Sequence, residues 1–173
     1  MKTIYIARHA KSCWKNIHIH DIDRPLKGNG VARAIEVAEK LSKNKEIIDA
    51  IFSSHAIRAY HTALIYAREF DFPIKEIEIR ESIYHEDKEA FYSICESLNN
   101  SHESVLICGH DPNLTNFLND FMSIPFEKMQ TASVMKITLK TDNWTEVRNS
   151  EVLNLVYYNK ENIKEIKYGK EGS

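Results

Sequence analysis

Apolar and β-branched positions gather into five short runs: TIYIA (Thr3 to Ala7), IIDAIFS (Ile47 to Ser53), SVLICG (Ser104 to Gly109), SVMKITL (Ser133 to Leu139) and VLNLVYY (Val152 to Tyr158). Runs of this length and composition predict buried strands. Between them the spacing changes to that of a helix. Val31, Ile35, Ala38 and Leu41 recur on one face, an alanine-rich segment covers Ala56 to Phe70, and a weaker pattern runs from Lys88 to Leu98. Strand and helix in alternation predict an α/β fold with a mostly parallel central sheet covered on both faces, its last two runs forming an antiparallel pair at one edge. Gly28 and Gly30 in KGNG do not follow a strand with nucleotide-binding spacing and are expected to form a turn. A single domain over residues 1–160 is expected, followed by a charged tail, 161–173, that frays.

The 173 residues suffice for one such sheet with its helices. Lys and Arg number 23 against 25 Asp and Glu, a net charge of −2, so nothing in the balance points to nucleic acid or an anionic membrane as partner. Any anion site must be local. No segment approaches the roughly 20 apolar residues of a membrane span, and Arg8 interrupts the first apolar run too early for a signal sequence. A cytoplasmic location is the expectation. Cys13, Cys95 and Cys108 fit neither a disulfide framework nor a four-cysteine zinc site and read as reduced thiols. His18 and His20 in IHIHD lack a third, distant ligand, so no metal is expected.

Candidate chemistry sits where the predicted strands end. Ligands of open α/β sheets bind beyond the carboxyl ends of the strands. Arg8 and His9 end the first strand, SSHAIR (Ser53 to Arg58) the second, and GHDPN (Gly109 to Asn113) a later one. If Ser54 caps the following helix, Arg58 lies about one turn inside it, where the macrodipole disfavours a cation. Two such cations at about 4 Å repel by roughly 4 kcal/mol at an effective dielectric of about 20, a cost that a bound dianion would reverse. Asp111 and Pro112 read as cap and first residue of another helix, with His110 just ahead of its free N–H groups. Neutral imidazole is a nucleophile that accepts and releases phosphoryl groups, so His9 is a candidate phosphoacceptor between Arg8, Arg58 and His110.

The motifs RHAKS (Arg8 to Ser12), DRPL (Asp23 to Leu26), SSHAIRAYHTA (Ser53 to Ala63) and GHDPNL (Gly109 to Leu114) occur in the order found in the histidine phosphatase superfamily. The chain resembles in particular its short SixA-type phosphohistidine phosphatases, which carry DxxRPL and SxAxRAxxTA at the corresponding places. The resemblance covers residues of about 3 to about 139. It implies a phosphoglycerate mutase-like three-layer α/β/α sandwich, His9 as phosphoacceptor, Arg8 and Arg58 as phosphate ligands, His110 completing the pocket, and no cofactor. Ala10 stands where the wider superfamily has glycine, as in the SixA-like branch. Only 52 positions (110 − 58) separate Arg58 from His110, leaving no room for a large lid. Glu81 is the candidate general acid, ahead of Glu86 and Asp87. Lys11, Ser12 and His85, with Tyr84, are candidates for the substrate-binding rim. The implied activity is metal-independent hydrolysis of phosphohistidine on a protein, such as a signalling phosphotransfer domain. The alternatives are a phosphatase of a small phosphorylated metabolite and a non-catalytic phosphate-binding module.

Overall fold

Alternation along the first strand decides which side of the sheet each residue joins. In β1 (Lys2–Arg8), Ile4 and Ile6 enter one buried apolar cluster while Tyr5 and Ala7 enter another. This is the period of two that a pleated strand imposes. The computed structural model describes residues 1–166. After β1 come α1 (Gly28–Lys43), β2 (Ala50–Ser53), α2 (Ile57–Glu69), β3 (Glu78–Ile79), α3 (Ser82–His85), α4 (Glu89–Ser97) and β4 (Ser104–Gly109). They are followed by α5 (Asn113–Asn119), β5 (Val134–Leu139), β6 (Val152–Tyr158) and β7 (Ile163–Glu165).

Among the described residues the strands form one sheet in the order β3-β2-β4-β1-β5-β6-β7. Neighbours are parallel from β3 to β1 and antiparallel from β1 to β7. Two reversals restore direction, so β6 runs with β1, and only β5 and β7 oppose the majority. Val37, Ala38 and Leu41 of α1 join Ala63, Tyr66 and Ala67 of α2 on one face of the sheet. Phe91 and Ile94 of α4 join Leu114, Phe117 and Leu118 of α5 on the other. The expected three-layer sandwich is therefore present. Each of the large side chains buried there contributes about 1.5–3 kcal/mol of burial free energy. No helix among the described residues is long and apolar enough to cross a membrane.

The structure departs from the sequence expectations in detail. The second strand begins at Ala50, and Ile47 is exposed. The buried stripe of α1 is Ala34, Val37, Ala38 and Leu41, whereas Ile35 faces outward. Gly28 and Gly30 form the first turn of α1 and not a separate turn. Beyond residue 160, Ile163–Glu165 pair with β6 as an edge strand, because Tyr158, Tyr157 and Val156 offer a free ladder. Residues 167–173 of the expected tail lie outside the described residues.

Gly30 has a steric reason to be glycine. A Cβ there would lie 2.5 Å from the Lys11 main-chain oxygen and 2.8 Å from its nitrogen. The Lys11 carbonyl also accepts the Lys27 N–H at 2.8 Å, and Ser12 forms an isolated bridge with Leu26. Helix α1 thus presses directly on the segment that follows His9. Gly30→Ala is expected to cost about 1–3 kcal/mol, as overpacking does, and to displace the main chain at residues 9–12. Denaturant titration together with amide chemical shifts of those residues checks it.

Candidate active site

Strand register brings the polar clusters together. Arg8 of β1 lies opposite Gly109 of β4, and Ser53 of β2 opposite Cys108. The pairing continues one residue further on each side: the His9 N–H donates to the Gly109 carbonyl at 3.1 Å and the Ser54 N–H to the Cys108 carbonyl at 3.0 Å. The three strand ends are adjacent, and the imidazoles of His9 and His110 lie with ring centroids 5.0 Å apart.

The tautomer of His9 follows from its partner. Its Nδ1 lies 2.8 Å from the Ala10 carbonyl oxygen. A carbonyl only accepts, so Nδ1 carries the hydrogen, and a neutral ring then has a bare lone pair on Nε2. The loop that fixes this geometry is itself held. The Ala10 N–H donates to Thr62 Oγ1 at 3.0 Å, and the Thr62 hydroxyl donates to the Arg58 carbonyl at 2.7 Å. Ala10 and Ala34 are fully buried and pack with the nearly buried Ala132.

Neither arginine is an uncompensated cation: each pairs with a carboxylate, so a bound dianion is not the sole offset to their charge. The Arg8 guanidinium donates to the Met129 carbonyl and pairs with the Asp111 carboxylate at 3.1 Å. Arg58 donates from one terminal nitrogen to the Asp21 carbonyl at 2.5 Å and from the other to the Asp21 carboxylate at 2.7 Å. The Tyr84 hydroxyl donates to the same carboxylate oxygen at 2.7 Å. Arg58 is 7% exposed, so these bonds set its orientation.

Two capping expectations are corrected. Helix α2 begins at Ile57 with Ala56 ahead of it, so Arg58 is its second residue. The Ser54 hydroxyl is engaged elsewhere, accepting the Ala56 N–H at 3.2 Å and lying 2.9 Å from Nε2 of His110. Asp111 is not the cap of α5; its carboxylate pairs with Arg8 and accepts the Thr115 hydroxyl at 2.7 Å, while Pro112 precedes the helix. The short α5 supplies no anion site by its end alone. If Ser54 donates to Nε2, then Nδ1 of His110 carries the hydrogen, and that buried nitrogen has no partner.

The remaining predicted residues separate. His85 is exposed and packs on Tyr84 (centroids 4.9 Å) and His55 (5.5 Å), an aromatic group reaching His110 through Tyr84 (5.2 Å). Lys11 has an exposed side chain at the same end, whereas Ser12 is buried at its bridge and belongs to the loop's framework. Glu81 is exposed, and its side chain takes no part in the hydrogen bonds of the cluster. Asp21, Ser54 and Thr62 do take part and were not among the candidates. For Asp21 the available signal is its place three residues before Arg24; for Thr62 it is the turn of helix after Arg58.

Burial dominates the protonation of both histidines. It drives His9 from its ordinary value of 6.5 down to about 4; the bond to Ala10 opposes this and Arg58 and Arg8 reinforce it. His110 falls to about 3 through burial, then His9 and Arg58. Both rings are neutral near neutral pH. Partial burial works to raise the Asp21 carboxyl, but the Tyr84 hydroxyl and the Arg58 guanidinium outweigh it and hold Asp21 below the ordinary carboxylate value.

Residues 4–85 match the family model of the histidine phosphatase superfamily (branch 1). Over those residues, just under half of the chain, the sequence is similar to the histidine phosphatase superfamily. Among solved structures, the protein histidine phosphatase SixA complexed with tungstate aligns with TM-score 0.77 at 20% identity, over 91% of this chain and 97% of that one. A provisionally assigned phosphohistidine phosphatase SixA from Agrobacterium tumefaciens aligns with TM-score 0.71 at 22% identity, covering 89% and 96%. A mycobacterial glucosyl-3-phosphoglycerate phosphatase aligns with TM-score 0.65 at 13% identity, covering 92% and 99%. No curated protein matches by sequence. At these identities the structural likenesses bear on the fold.

The depressed histidines give a pH signature. The unfolded chain takes up protons on both imidazoles as pH falls through about 6.5, whereas the folded chain does so only near 4 and 3. Their contribution to stability is complete above the first value and is lost progressively below it. Near pH 5.5, where an imidazole of ordinary pKa about 6.5 is mostly protonated, the ring resonances of His9 and His110 are expected to remain those of neutral imidazole by NMR. Glu81→Gln is expected to leave phosphate-ester hydrolysis within about twofold, as for a surface substitution away from the chemistry; steady-state rates check it.

Proposed function

We propose that this domain hydrolyses phosphohistidine on a protein through a phospho-His9 intermediate. The observation that carries the reading is the His9 Nδ1 bond to the Ala10 carbonyl, which leaves Nε2 bare in a buried, neutral ring flanked by Arg58 and Arg8. In the first step the Nε2 lone pair forms a bond to phosphorus in line as the bond from phosphorus to the substrate imidazole nitrogen breaks. The departing imidazole takes a proton from water. In the second step water attacks the phosphorus of phospho-His9, releasing inorganic phosphate and restoring the imidazole. The guanidinium hydrogens that the carboxylates leave free stabilise charge on the phosphoryl oxygens, joined by Nδ1–H of His110 when Ser54 donates to its Nε2.

The leaving group decides the preferred substrate. An alkoxide needs a proton donor, whereas imidazole departs readily once its nitrogen is protonated. Asp21 is held ionised by Tyr84 and Arg58, Asp111 is paired with Arg8, and Glu81 lies outside the cluster. This carboxylate inventory favours phosphohistidine over esters. One observation favours the second reading, a small phosphorylated metabolite: a cavity of about 330 Å³ adjoins Arg8 and Asp111, lined also by Asn116, Asn119 and Lys128, roomy enough for a leaving group.

His9→Ala is expected to lower turnover by about a thousandfold or more, as loss of a nucleophile does, while tungstate still binds. Acid quenching of the wild type during turnover is expected to lose the trapped phosphate and alkaline quenching to retain it. Retained activity in His9→Ala would end the nucleophile assignment. Rates on a chemically phosphorylated histidine phosphocarrier, set against a panel of sugar phosphates, discriminate the two substrate classes.

A further inference from the structure

Asp21 opens the DxxRPL motif twelve positions after His9, and it accepts two hydrogen bonds from Arg58. We propose that Asp21 is a positioning residue for phosphate binding, orienting Arg58 through paired hydrogen bonds so that the remaining guanidinium hydrogens face the phosphoryl group. The inference rests on the reading that Arg58 binds phosphate.

Hydrogen-bond capacity supports it. The Asp21 carbonyl takes a hydrogen from one terminal nitrogen of Arg58 and its carboxylate takes one from the other, at 2.5 and 2.7 Å. A guanidinium has a second hydrogen on each terminal nitrogen and one on Nε, so the group is fixed in its plane without being used up. Arg58 is almost wholly buried, and a buried fork with no partner would rotate among orientations or recruit water. The carboxylate is held in turn. Tyr84 donates to the same oxygen at 2.7 Å, and the Arg24 Nε lies 3.6 Å from the other oxygen. Arg24 also stacks over Trp14 at 4.0 Å and donates to the Asn16 carbonyl at 3.3 Å, tying Asp21 to the loop between β1 and α1.

The opposite view is that the carboxylate competes with phosphate for Arg58. The two views differ in the sign of one measurement. If Asp21 positions Arg58, Asp21→Ala weakens vanadate binding about tenfold, the scale of one charge-assisted hydrogen bond, and raises KM for an aryl phosphate more than it lowers kcat. Asp21→Asn keeps the main-chain carbonyl and one side-chain oxygen as acceptors for Arg58 and removes a negative charge, so it is expected to bind vanadate at least as tightly as wild type. Tyr84→Phe, which frees the carboxylate without removing it, is expected to weaken vanadate about threefold. Isothermal titration with vanadate and thermal unfolding of each variant measure affinity and integrity separately. Vanadate binding to Asp21→Ala as tight as or tighter than wild type would overturn the proposal in favour of competition. Equal weakening by Asn and Ala would overturn it as well, since a loose loop and not lost geometry would then be responsible. If Asp21→Ala does not fold, Tyr84→Phe decides alone: unchanged affinity sinks the proposal. Absence of vanadate binding by the wild type would instead strike the phosphate reading itself.

Discussion

A single hydrogen bond, from Nδ1 of His9 to the carbonyl of the next residue, sets what the site can do. It is possible only for one tautomer, and that tautomer puts the lone pair on the nitrogen facing away from the chain. The bond needs the Ala10 carbonyl to turn back toward the ring. Thr62 secures that turn by accepting the Ala10 N–H, and Gly30 permits it by letting α1 approach the Lys11 main chain. Three separate segments therefore converge on one peptide unit. Ala10 and Ala34 are fully buried there, and at Gly30 the packing leaves no volume for a larger residue.

The charges around this ring are arranged in pairs. Arg8 arrives with Asp111 and Arg58 with Asp21, so the cluster is close to neutral before any phosphoryl group enters. Had the guanidinium groups stood alone, their mutual repulsion would oppose folding by several kcal/mol, roughly 4 at about 4 Å. Paired carboxylates remove that cost and hold each fork in one orientation, at the expense of some attraction for the incoming dianion. The pairing also bears on protonation. With each guanidinium partly neutralised, burial is the first cause of the low His9 value and the arginines are secondary.

Much of this was legible in the sequence, for a definite reason. β4 and β6 begin and end where their apolar runs do, because apolar, β-branched runs of strand length mark the buried sheet positions. That Arg8, His9 and His110 come together was legible because residues at or beside strand ends are placed by the sheet's topology and not by loop conformation. What escaped depends on loops. Asp21 reaches Arg58 only through the path taken by residues 11–27, and no periodicity reports that path. Asp111 has the composition of a helix cap but forms an ion pair, since Arg8 lies on the neighbouring strand and a charged partner outweighs a capping bond. KGNG has turn composition and begins a helix, because the tertiary contact of Gly30 with Lys11 overrides local propensity.

The same pairing bears on catalysis through the leaving group. A carboxylic acid serves as proton donor only if its environment raises its pKa, by burial away from cations or by a neighbouring carboxylate. Asp21 has the opposite environment: a phenol donates to it and a guanidinium is bound to it, and both favour the anion. Asp111 is likewise paired with Arg8. The features that make Asp21 a good partner for arginine thus make it a poor acid. On the proposed reading, a site that orients its phosphate ligand Arg58 by Asp21 gives up that carboxylate as a proton donor, which suits leaving groups that solvent alone can protonate.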